Sequence, residues 1–223
     1  MKVEDGFGLY LVVTNPATGY AKCAEAAVRA GVRFVQLRMK HATREEIVRE
    51  AREMRRITSG TGTFFIVNDD PSIADEVGAD GVHVGQGDMP PAEVRARFPS
   101  LRIVGLSTHN LEQAEASRRE PIDYIGVGPV YSTPTKEIPD PVLGPELAGR
   151  MISAANVPAV AIGGIDENTL PEVLEAGARN FSVVRAVCGS QDPYAAIVRL
   201  TSVWRQRKAR AVSSALPTDR SMS

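Results

Sequence analysis

The chain is poor in cysteine, in net charge and in long apolar runs, and each shortage excludes a class of protein. Its two cysteines, Cys23 and Cys188, are too few and too far apart for a disulfide framework or a CxxC metal site. The formal net charge of −1 gives no electrostatic reason to expect DNA, RNA or an anionic membrane as a partner. No apolar run reaches the ~20 residues of a membrane-spanning helix. The N-terminus has no charged segment followed by an apolar run, so we expect a cytoplasmic protein.

The composition is that of a globular domain. Hydrophobic residues make up 43% of the 223 residues, which is enough to build one sizeable core. No shift in composition marks a linker, and the last stretch, RQRKARAVSSALPTDRSMS, is basic and then rich in serine. We therefore expect one domain over residues 1–207 and a disordered C-terminal tail over residues 208–223.

Short β-rich runs alternate with segments that have helical spacing. The runs are eight in number and begin at Leu9, Val32, Thr63, Asp80, Leu101, Ile122, Val157 and Asn180. Strands that alternate with helices indicate parallel βαβ units, and eight units in about 200 residues predict a compact (β/α)8 TIM barrel. A doubly wound open sheet is the alternative, because its crossover helices would look the same in sequence.

Polar residues follow almost every run, and the carboxyl ends of parallel strands form the functional face of such a fold. In VQLRMK, the side chains of Gln36, Arg38 and Lys40 are spaced two apart and so project to one side, while Val35 and Leu37 point to the other. Two inward cations need either carboxylate partners or an anionic ligand. The residues alone leave these two interpretations level.

Carboxylates follow the third and fourth runs. Asn68, Asp69 and Asp70 come after one, and Asp88 comes after the next. Oxygen ligands of this kind suit Mg²⁺, which usually combines one or two carboxylates with water and substrate phosphate oxygens. The alternative is structural, since Asp70 precedes Pro71 and can simply cap the next helix.

Glycines and single histidines complete the predicted rim. Gly163 and Gly164 follow the seventh run, where backbone amides commonly bind phosphate in barrels, and Val184 and Arg185 follow the eighth. His83, inside a run, is interpreted as a core or inter-strand histidine rather than a catalyst. His109, at the end of a run, is a candidate for proton transfer.

One long loop carries the remaining candidates. Residues 129–145 read PVYSTPTKEIPDPVLGP, and their five prolines exclude both a central strand and a helix interior. A loop of this length in a compact domain is typically a functional lid or a disordered segment. It carries two hydroxyls and a lysine, at Thr133, Thr135 and Lys136, but composition alone leaves the two choices nearly even.

Seven motifs in this order and spacing resemble the thiamine phosphate synthases. They are QLRMK, VNDD, GVHVGQGD, GLSTH, IGVGPVYSTPTK, AIGGI and FSVVRAV, and the match spans about residues 9 to 187. The resemblance implies a (β/α)8 barrel. It also implies an enzyme that joins 4-amino-5-hydroxymethyl-2-methylpyrimidine diphosphate to 4-methyl-5-(2-hydroxyethyl)thiazole phosphate, or its carboxylated form, releasing pyrophosphate.

The resemblance also implies roles for individual residues. Mg²⁺ would be held by Asp69 and Asp88. The pyrimidine diphosphate would be bound by Gln36, Arg38, Lys40, Asn68, Ser107 and Lys136, with Arg38, Ser107 and Lys136 as catalytic groups. The thiazole phosphate would be bound by Thr133, Thr135, Gly164, Val184 and Arg185. Many family members carry serine at the last of these positions.

Two other functions compete with this one. A metal-independent thiazole tautomerase of the same superfamily would use His109 as acid or base. A non-catalytic phosphate-binding barrel would keep the glycine site and lose the cationic one. The expected partners are small molecules, with no nucleic acid and no membrane. The oligomeric state is open, a homodimer included.

Overall fold

Eight parallel strands form a closed barrel with helices outside it. The computed structural model describes residues 3–133 and 140–215, with side chains through residue 209. Each strand pairs with its neighbours in chain order, and the first pairs with the last. The strands are β1 Gly8–Val13, β2 Phe34–Leu37, β3 Phe64–Asn68, β4 Gly81–Val84, β5 Ile103–Thr108, β6 Tyr124–Val127, β7 Ala159–Ala161 and β8 Asn180–Val183. The predicted (β/α)8 barrel is confirmed, and the open-sheet alternative is wrong.

Helices follow the strands in the alternation that the sequence predicts. They are α1 Tyr20–Arg29, α2 Arg44–Thr58, α3 Pro71–Glu76, α4 Pro91–Arg97, α5 Leu111–Ala116, α6 Gly144–Ala154, α7 Leu170–Glu175, α8 Arg185–Cys188 and α9 Pro193–Ala215, with a 3-10 helix at Ser117–Arg119. In the part of the chain with assigned structure, no helix is long and apolar enough to cross a membrane. Since α9 runs to Ala215, the expected tail from residue 208 is helical at its start, and the domain boundary stays a prediction.

Alternate residues of the strands separate two apolar layers. Val35 and Leu37 of β2 belong to the layer between strands and helices. Tyr10, Phe34 and Tyr124 belong to a smaller cluster inside the barrel. This follows from the period of two along a strand, which sends successive side chains to opposite faces.

A buried aspartate ties neighbouring strands together at the amino end of the barrel. Asp80, just before β4, is 5% exposed and accepts hydrogen bonds from the Arg55 guanidinium at 3.0 Å and from the backbone N–H of Phe65 at 3.0 Å. Its other oxygen accepts from Arg102. Every oxygen of this buried carboxylate thus has a donor, as a buried charge requires.

Asn180 closes the barrel where β8 meets β1. Its carbonyl oxygen accepts from the backbone N–H groups of Phe7 at 2.8 Å and Gly8 at 3.3 Å, across 173 and 172 residues of chain. Its amide nitrogen donates to Asp5 at 2.7 Å and to the carbonyl of Ala159 at 3.1 Å. The side chain is fully buried and satisfied on both sides of the seam.

Candidate active site

A cavity of about 650 Å³ lies at the carboxyl end of the barrel and collects the residues singled out from sequence. Those that line it are Gln36, Arg38, Lys40, Asn68, Asp69, Asp88, Ser107, Thr133, Gly164, Val184 and Arg185. Thr135 and Lys136 lie outside the described residues, so the structure does not test them. The parity argument for Gln36, Arg38 and Lys40 is correct as geometry, since all three face the cavity.

Two carboxylates and a lysine meet on the β2–β4 side of this cavity. The Lys40 ammonium donates a hydrogen bond to Asp69, and the backbone N–H of Gly85 donates to Asp88 at 2.7 Å. The pKa of Asp88 is raised, chiefly by burial and further by the nearby Asp69 carboxylate, against the lowering effect of the Gly85 amide. Like charges placed together in this way are a common signature of a functional site.

The backbone of Asp69 is in the left-handed region, with φ of 67°. This conformation costs an L residue roughly 1–2 kcal/mol, and aspartate tolerates it better than most. The turn is held by the N–H of Asp69 donating to His83 O at 2.8 Å and the N–H of Asp70 donating to Asn68 O at 2.9 Å. Asp70 itself caps α3 by accepting from the backbone N–H of Ser72 at 2.8 Å, so the structural interpretation of Asp70 is confirmed. Asp69 is left to face the cavity.

The donor set fits a magnesium ion that is bound together with substrate. Asp69 and Asp88 supply two hard oxygen ligands whose repulsion a cation would relieve. Within the described ranges there is no group of three or more histidine, cysteine, aspartate or glutamate side chains that could hold a metal alone. Two carboxylates completed by phosphate oxygens are the usual arrangement for Mg²⁺.

Arg38 adds a second cation to this side of the cavity. Burial lowers the pKa of its guanidinium, while the Asp69 charge raises it. No described carboxylate lies within salt-bridge distance of Arg38, unlike Lys40. Of the two interpretations left level by the sequence, internal pairing therefore describes Lys40, and anion binding by Arg38 stays a prediction.

The β7–β8 side of the cavity is built from backbone and small residues. Gly164 has φ of +64°, and a Cβ there would lie 2.6 Å from the Cβ of Tyr131. Only glycine fits this contact, which packs the loop after β7 against the loop after β6. Arg185 starts α8, is exposed, and has no ion-pair partner in the described part of the chain.

A chain of hydrogen-bonded side chains forms the floor of the cavity. Gln36 Nε2 donates to the Tyr10 hydroxyl at 2.9 Å, and that hydroxyl lies 2.8 Å from the Tyr124 hydroxyl. The Tyr124 hydroxyl is 3.0 Å from His83 Nδ1, and His83 Nε2 is 2.9 Å from Ser107 Oγ. The floor therefore joins β2 to β5 through side chains of β1, β6 and β4.

Glycine makes room for this chain. A Cβ at Gly105 would lie 2.2 Å from Cζ of Tyr124, so any other residue there would push the phenol away from His83. Tyr10 and Tyr124 were missed from the sequence. His83 was interpreted as a core or inter-strand histidine, and its contacts with Tyr124 and Ser107 agree with the second of these. The available signal was parity, since His83 stands two residues before Gly85 and at the inward position of its strand.

His109 also lines the cavity, but one of its ring nitrogens is engaged. Nδ1 donates to the carbonyl of Gly128 at 2.7 Å and lies 3.6 Å from Asp140 Oδ2. A carbonyl only accepts, so Nδ1 carries the proton. The ring is held at the cavity wall by the backbone.

The comparisons with known proteins agree with this geometry. The family model described as thiamine monophosphate synthase matches residues 9–187. A thiamine-phosphate synthase of Archaeoglobus fulgidus is 35% identical over 209 residues, covering 93% of this chain and 98% of its own. The solved thiamine phosphate pyrophosphorylase of Pyrococcus furiosus superposes with a TM-score of 0.83 at 29% identity, over 91% of this chain and 98% of its own.

The chain belongs to the thiamine monophosphate synthase family. The thiamine-phosphate synthase of Nostoc punctiforme is 42% identical over 185 residues, which are 83% of this chain and 52% of that protein. The chain thus spans about half the length of this relative and nearly all of the archaeal one. The resemblance inferred from seven motifs is confirmed, with the same limits of about residues 9 to 187.

In this thiamine monophosphate synthase family member, one cavity holds both groups of polar residues. The carboxylates and cations lie after β2, β3 and β4, and the glycine and Arg185 positions lie after β7 and β8. A barrel of eight strands places these sets on opposite sides of the mouth. The arrangement can therefore hold two anionic molecules against each other.

Proposed function

We propose that the chain is a thiamine phosphate synthase, which condenses the pyrimidine diphosphate with the thiazole phosphate, or its carboxylated form, and releases pyrophosphate. The observation that carries the proposal is the single cavity with a carboxylate and cation cluster on one side and a glycine site on the other. Two phosphorylated substrates need two anion sites that face one another. Family membership supports the same conclusion.

The residues of the β2–β4 side are assigned to the pyrimidine diphosphate. Arg38, Lys40 and Asn68 would bind its phosphate oxygens, and Gln36 and Ser107 would hold the ring. Asp69 and Asp88 would hold Mg²⁺, which supplies charge neutralisation at the departing pyrophosphate. With the cation and the diphosphate in the site, Lys40 would exchange Asp69 for phosphate oxygens as its partner.

The residues of the β7–β8 side are assigned to the thiazole phosphate. Thr133, Gly164, Val184 and Arg185 would bind it, together with Thr135, which lies outside the described residues. Lys136, also outside them, would act on the pyrimidine diphosphate instead. The bond from the pyrimidine methylene carbon to the diphosphate oxygen breaks, with its electron pair leaving on pyrophosphate. The thiazole nitrogen then supplies the pair for the new carbon–nitrogen bond.

No protein nucleophile takes part in this scheme. The side chains neutralise the leaving group, align the two rings and exclude water, and such alignment can supply a large share of the rate. The cavity supports the exclusion of water in particular, because Tyr10, Tyr124 and His83 close its floor with side chains that bond to one another.

The test is incubation with both substrates and Mg²⁺, followed by detection of thiamine phosphate by mass. We expect product only with both substrates, and its loss after chelation with recovery on adding Mg²⁺. Asp69→Asn should be impaired, whereas Asp75→Asn, which changes an aspartate of α3 outside the cavity lining, should match the unmodified chain.

The tautomerase alternative has its own assay. It predicts isomerisation of the carboxylated thiazole phosphate without pyrimidine or metal, and loss of that activity in His109→Asn. Such activity in place of synthesis would replace the proposal, and phosphate binding without any turnover would indicate the non-catalytic barrel. The predicted cytoplasmic location and a homodimer are separate predictions, the latter checked by sedimentation.

A further inference from the structure

The hydrogen bonds in the floor of the cavity all run in one donor-to-acceptor order, which the chemistry of the side chains determines. An amide nitrogen of glutamine can only donate, so Gln36 Nε2 gives its proton to the Tyr10 hydroxyl oxygen at 2.9 Å. The Tyr10 hydroxyl has one proton left to give. Its other partner among the described residues is the Tyr124 hydroxyl at 2.8 Å, which therefore accepts.

The same reasoning determines which ring nitrogen of His83 accepts a hydrogen bond and which donates one. Tyr124, having accepted from Tyr10, donates its proton to His83 Nδ1 at 3.0 Å. A neutral imidazole whose Nδ1 accepts carries its proton on Nε2. His83 Nε2 therefore donates to Ser107 Oγ at 2.9 Å, and the proton of Ser107 is left for the cavity.

Both ends of the chain of side chains thus face the cavity with fixed and opposite polarity. Ser107 presents an O–H donor. Gln36 presents its carbonyl oxygen Oε1, which accepts from no described residue because the amide nitrogen is turned to Tyr10. A ligand edge that matches this pair must offer one donor and one acceptor.

We propose that Tyr10, Tyr124 and His83 are positioning residues that fix this donor and acceptor, and that the pair selects a heteroaromatic edge with an amino group beside an unprotonated ring nitrogen. A 4-aminopyrimidine has such an edge, so the inference rests on the proposed function and adds its basis for ring selection. A 4-oxopyrimidine reverses the pattern, because its carbonyl would face Gln36 Oε1 or its N–H would face the Ser107 donor.

The burial of the two tyrosines prevents the donor-to-acceptor order from reversing. Tyr10 and Tyr124 are buried, and burial raises the pKa of both phenols, so each hydroxyl keeps its proton and acts as a donor. Reversal would require Tyr10 to accept from both partners and would leave its own proton without an acceptor in a buried position. A buried donor left unpaired costs about 1–3 kcal/mol.

The first test is spectroscopic and needs no activity. The chain has three histidines, His41, His83 and His109, so ¹⁵N imidazole spectra can be assigned with single His→Gln variants. We expect the neutral Nε2–H tautomer at His83. Finding the Nδ1–H tautomer or a charged ring there at neutral pH would overturn the inference, whether or not the chain makes thiamine phosphate.

The second test removes the central hydroxyl. Tyr124→Phe should lower kcat/KM for the aminopyrimidine by about tenfold or more and should shrink discrimination against the 4-oxo analogue by at least about tenfold. The His83 spectrum should change to a mixture of tautomers. Tyr20→Phe, which removes a half-buried hydroxyl outside the cavity lining, should leave both quantities unchanged.

A pair of changes at His83 separates positioning from packing. His83→Gln keeps an N–H near the place of Nε2 and should retain more activity and discrimination than His83→Leu, which keeps only volume. Thiazole phosphate affinity should be the same in both. If the 4-oxo analogue is rejected equally by Tyr124→Phe and the unmodified chain, or if Gln rescues no better than Leu, the selection role is wrong while the proposed synthase activity stands.

Discussion

Two aspartates flank strand β4, and they differ in exposure and in hydrogen-bond partners. Asp80, at the amino end, is 5% exposed and has hydrogen-bond donors on both oxygens from Arg55, Arg102 and the backbone of Phe65. Asp88, past the carboxyl end, has an exposed surface but is partly desolvated where it lines the cavity. It accepts from the Gly85 amide, and its pKa is raised by this partial desolvation and by Asp69.

The difference separates charge that holds the fold from charge that the proposed function assigns to ligand binding. At the amino end, donors of the protein itself occupy both oxygens of Asp80, so this carboxylate is not offered to a ligand. At the carboxyl end the protein brings two carboxylates together and leaves Arg38 without a carboxylate partner among the described residues. Such an arrangement costs folding free energy and is favoured only when a cation and an anion arrive together.

The largest expected effect is on activity, from the carboxylates at the carboxyl end. Asp69→Asn and Asp88→Asn should each lower kcat/KM by about 10²-fold or more, or roughly 2.7 kcal/mol of transition-state stabilisation. Because both oxygens would serve one Mg²⁺, the double variant should lose much less than the sum of the two. Steady-state kinetics over a range of Mg²⁺ concentrations measures this double-mutant cycle.

The melting temperature of the free protein should not fall in these variants. The folded state disfavours the ionised form of Asp88, so removing that charge relieves rather than weakens the fold. Additive kinetic losses with unaltered metal dependence would show that the two aspartates do not share an ion.

The opposite result is expected at the amino end. Asp80→Asn should lower the free energy of unfolding by about 2 kcal/mol, because it removes charge-assisted hydrogen bonds to Arg55 and Arg102. For a chain of this size the melting temperature should drop by roughly 4–8 °C. Urea unfolding and thermal melts measure the loss, and kcat/KM well below the transition should stay within about twofold. A large kinetic defect in the folded variant would break the comparison.

A smaller effect is expected from the exposed cation of the β7–β8 side. Arg185→Ser should weaken thiazole phosphate binding by about two- to fivefold, since an exposed ion pair contributes under about 1 kcal/mol. The loss should vanish at high salt, where the charge is screened. Calorimetric titration at two salt concentrations checks both points, with Arg179→Ser at the amino end as the matched control. A loss that persists at high salt would instead indicate a specific hydrogen bond.

The smallest effect concerns two buried serines. Ser182 on β8 is 2% exposed, and its hydroxyl has no hydrogen-bond partner among the described residues, whereas Ser117 is 1% exposed and donates to Ala114 O at 2.6 Å. Ser182→Ala should leave the free protein as stable or slightly more stable, and Ser117→Ala should cost about 1 kcal/mol. Parallel melts compare them. Equal losses would mean that Ser182 has a partner such as ordered water.

The sequence was sufficient for the architecture because the signals are local and repeated. Eight β-rich runs alternate with helical segments, and polar residues follow the runs at the ends that a parallel barrel brings together. Arg38, Asp69 and Asp88 were placed at one rim on that reasoning alone, and they line one cavity. Their roles in binding remain predictions.

The floor of the cavity could not be read in the same way. Tyr10 lies in LYLVV, where every residue is buried, so no alternation of polar and apolar residues shows which side chains face inward. Tyr124 and His83 meet because β4 and β6 pair with β5 on either side of Gly105. Partners separated by 41 residues leave no periodic trace, and the catalytic candidate Lys136 falls outside the described residues.

The seam at Asn180 has a consequence for synthesis on the ribosome. The backbone N–H groups of Phe7 and Gly8 wait for an acceptor that is translated 173 and 172 residues later. At about 5–20 residues per second, the outer edge of the first strand stays without its final partner for roughly 10–30 s. An unpaired strand edge invites association with other nascent chains. The interval is a window in which chaperones or dilution would decide the yield of folded protein.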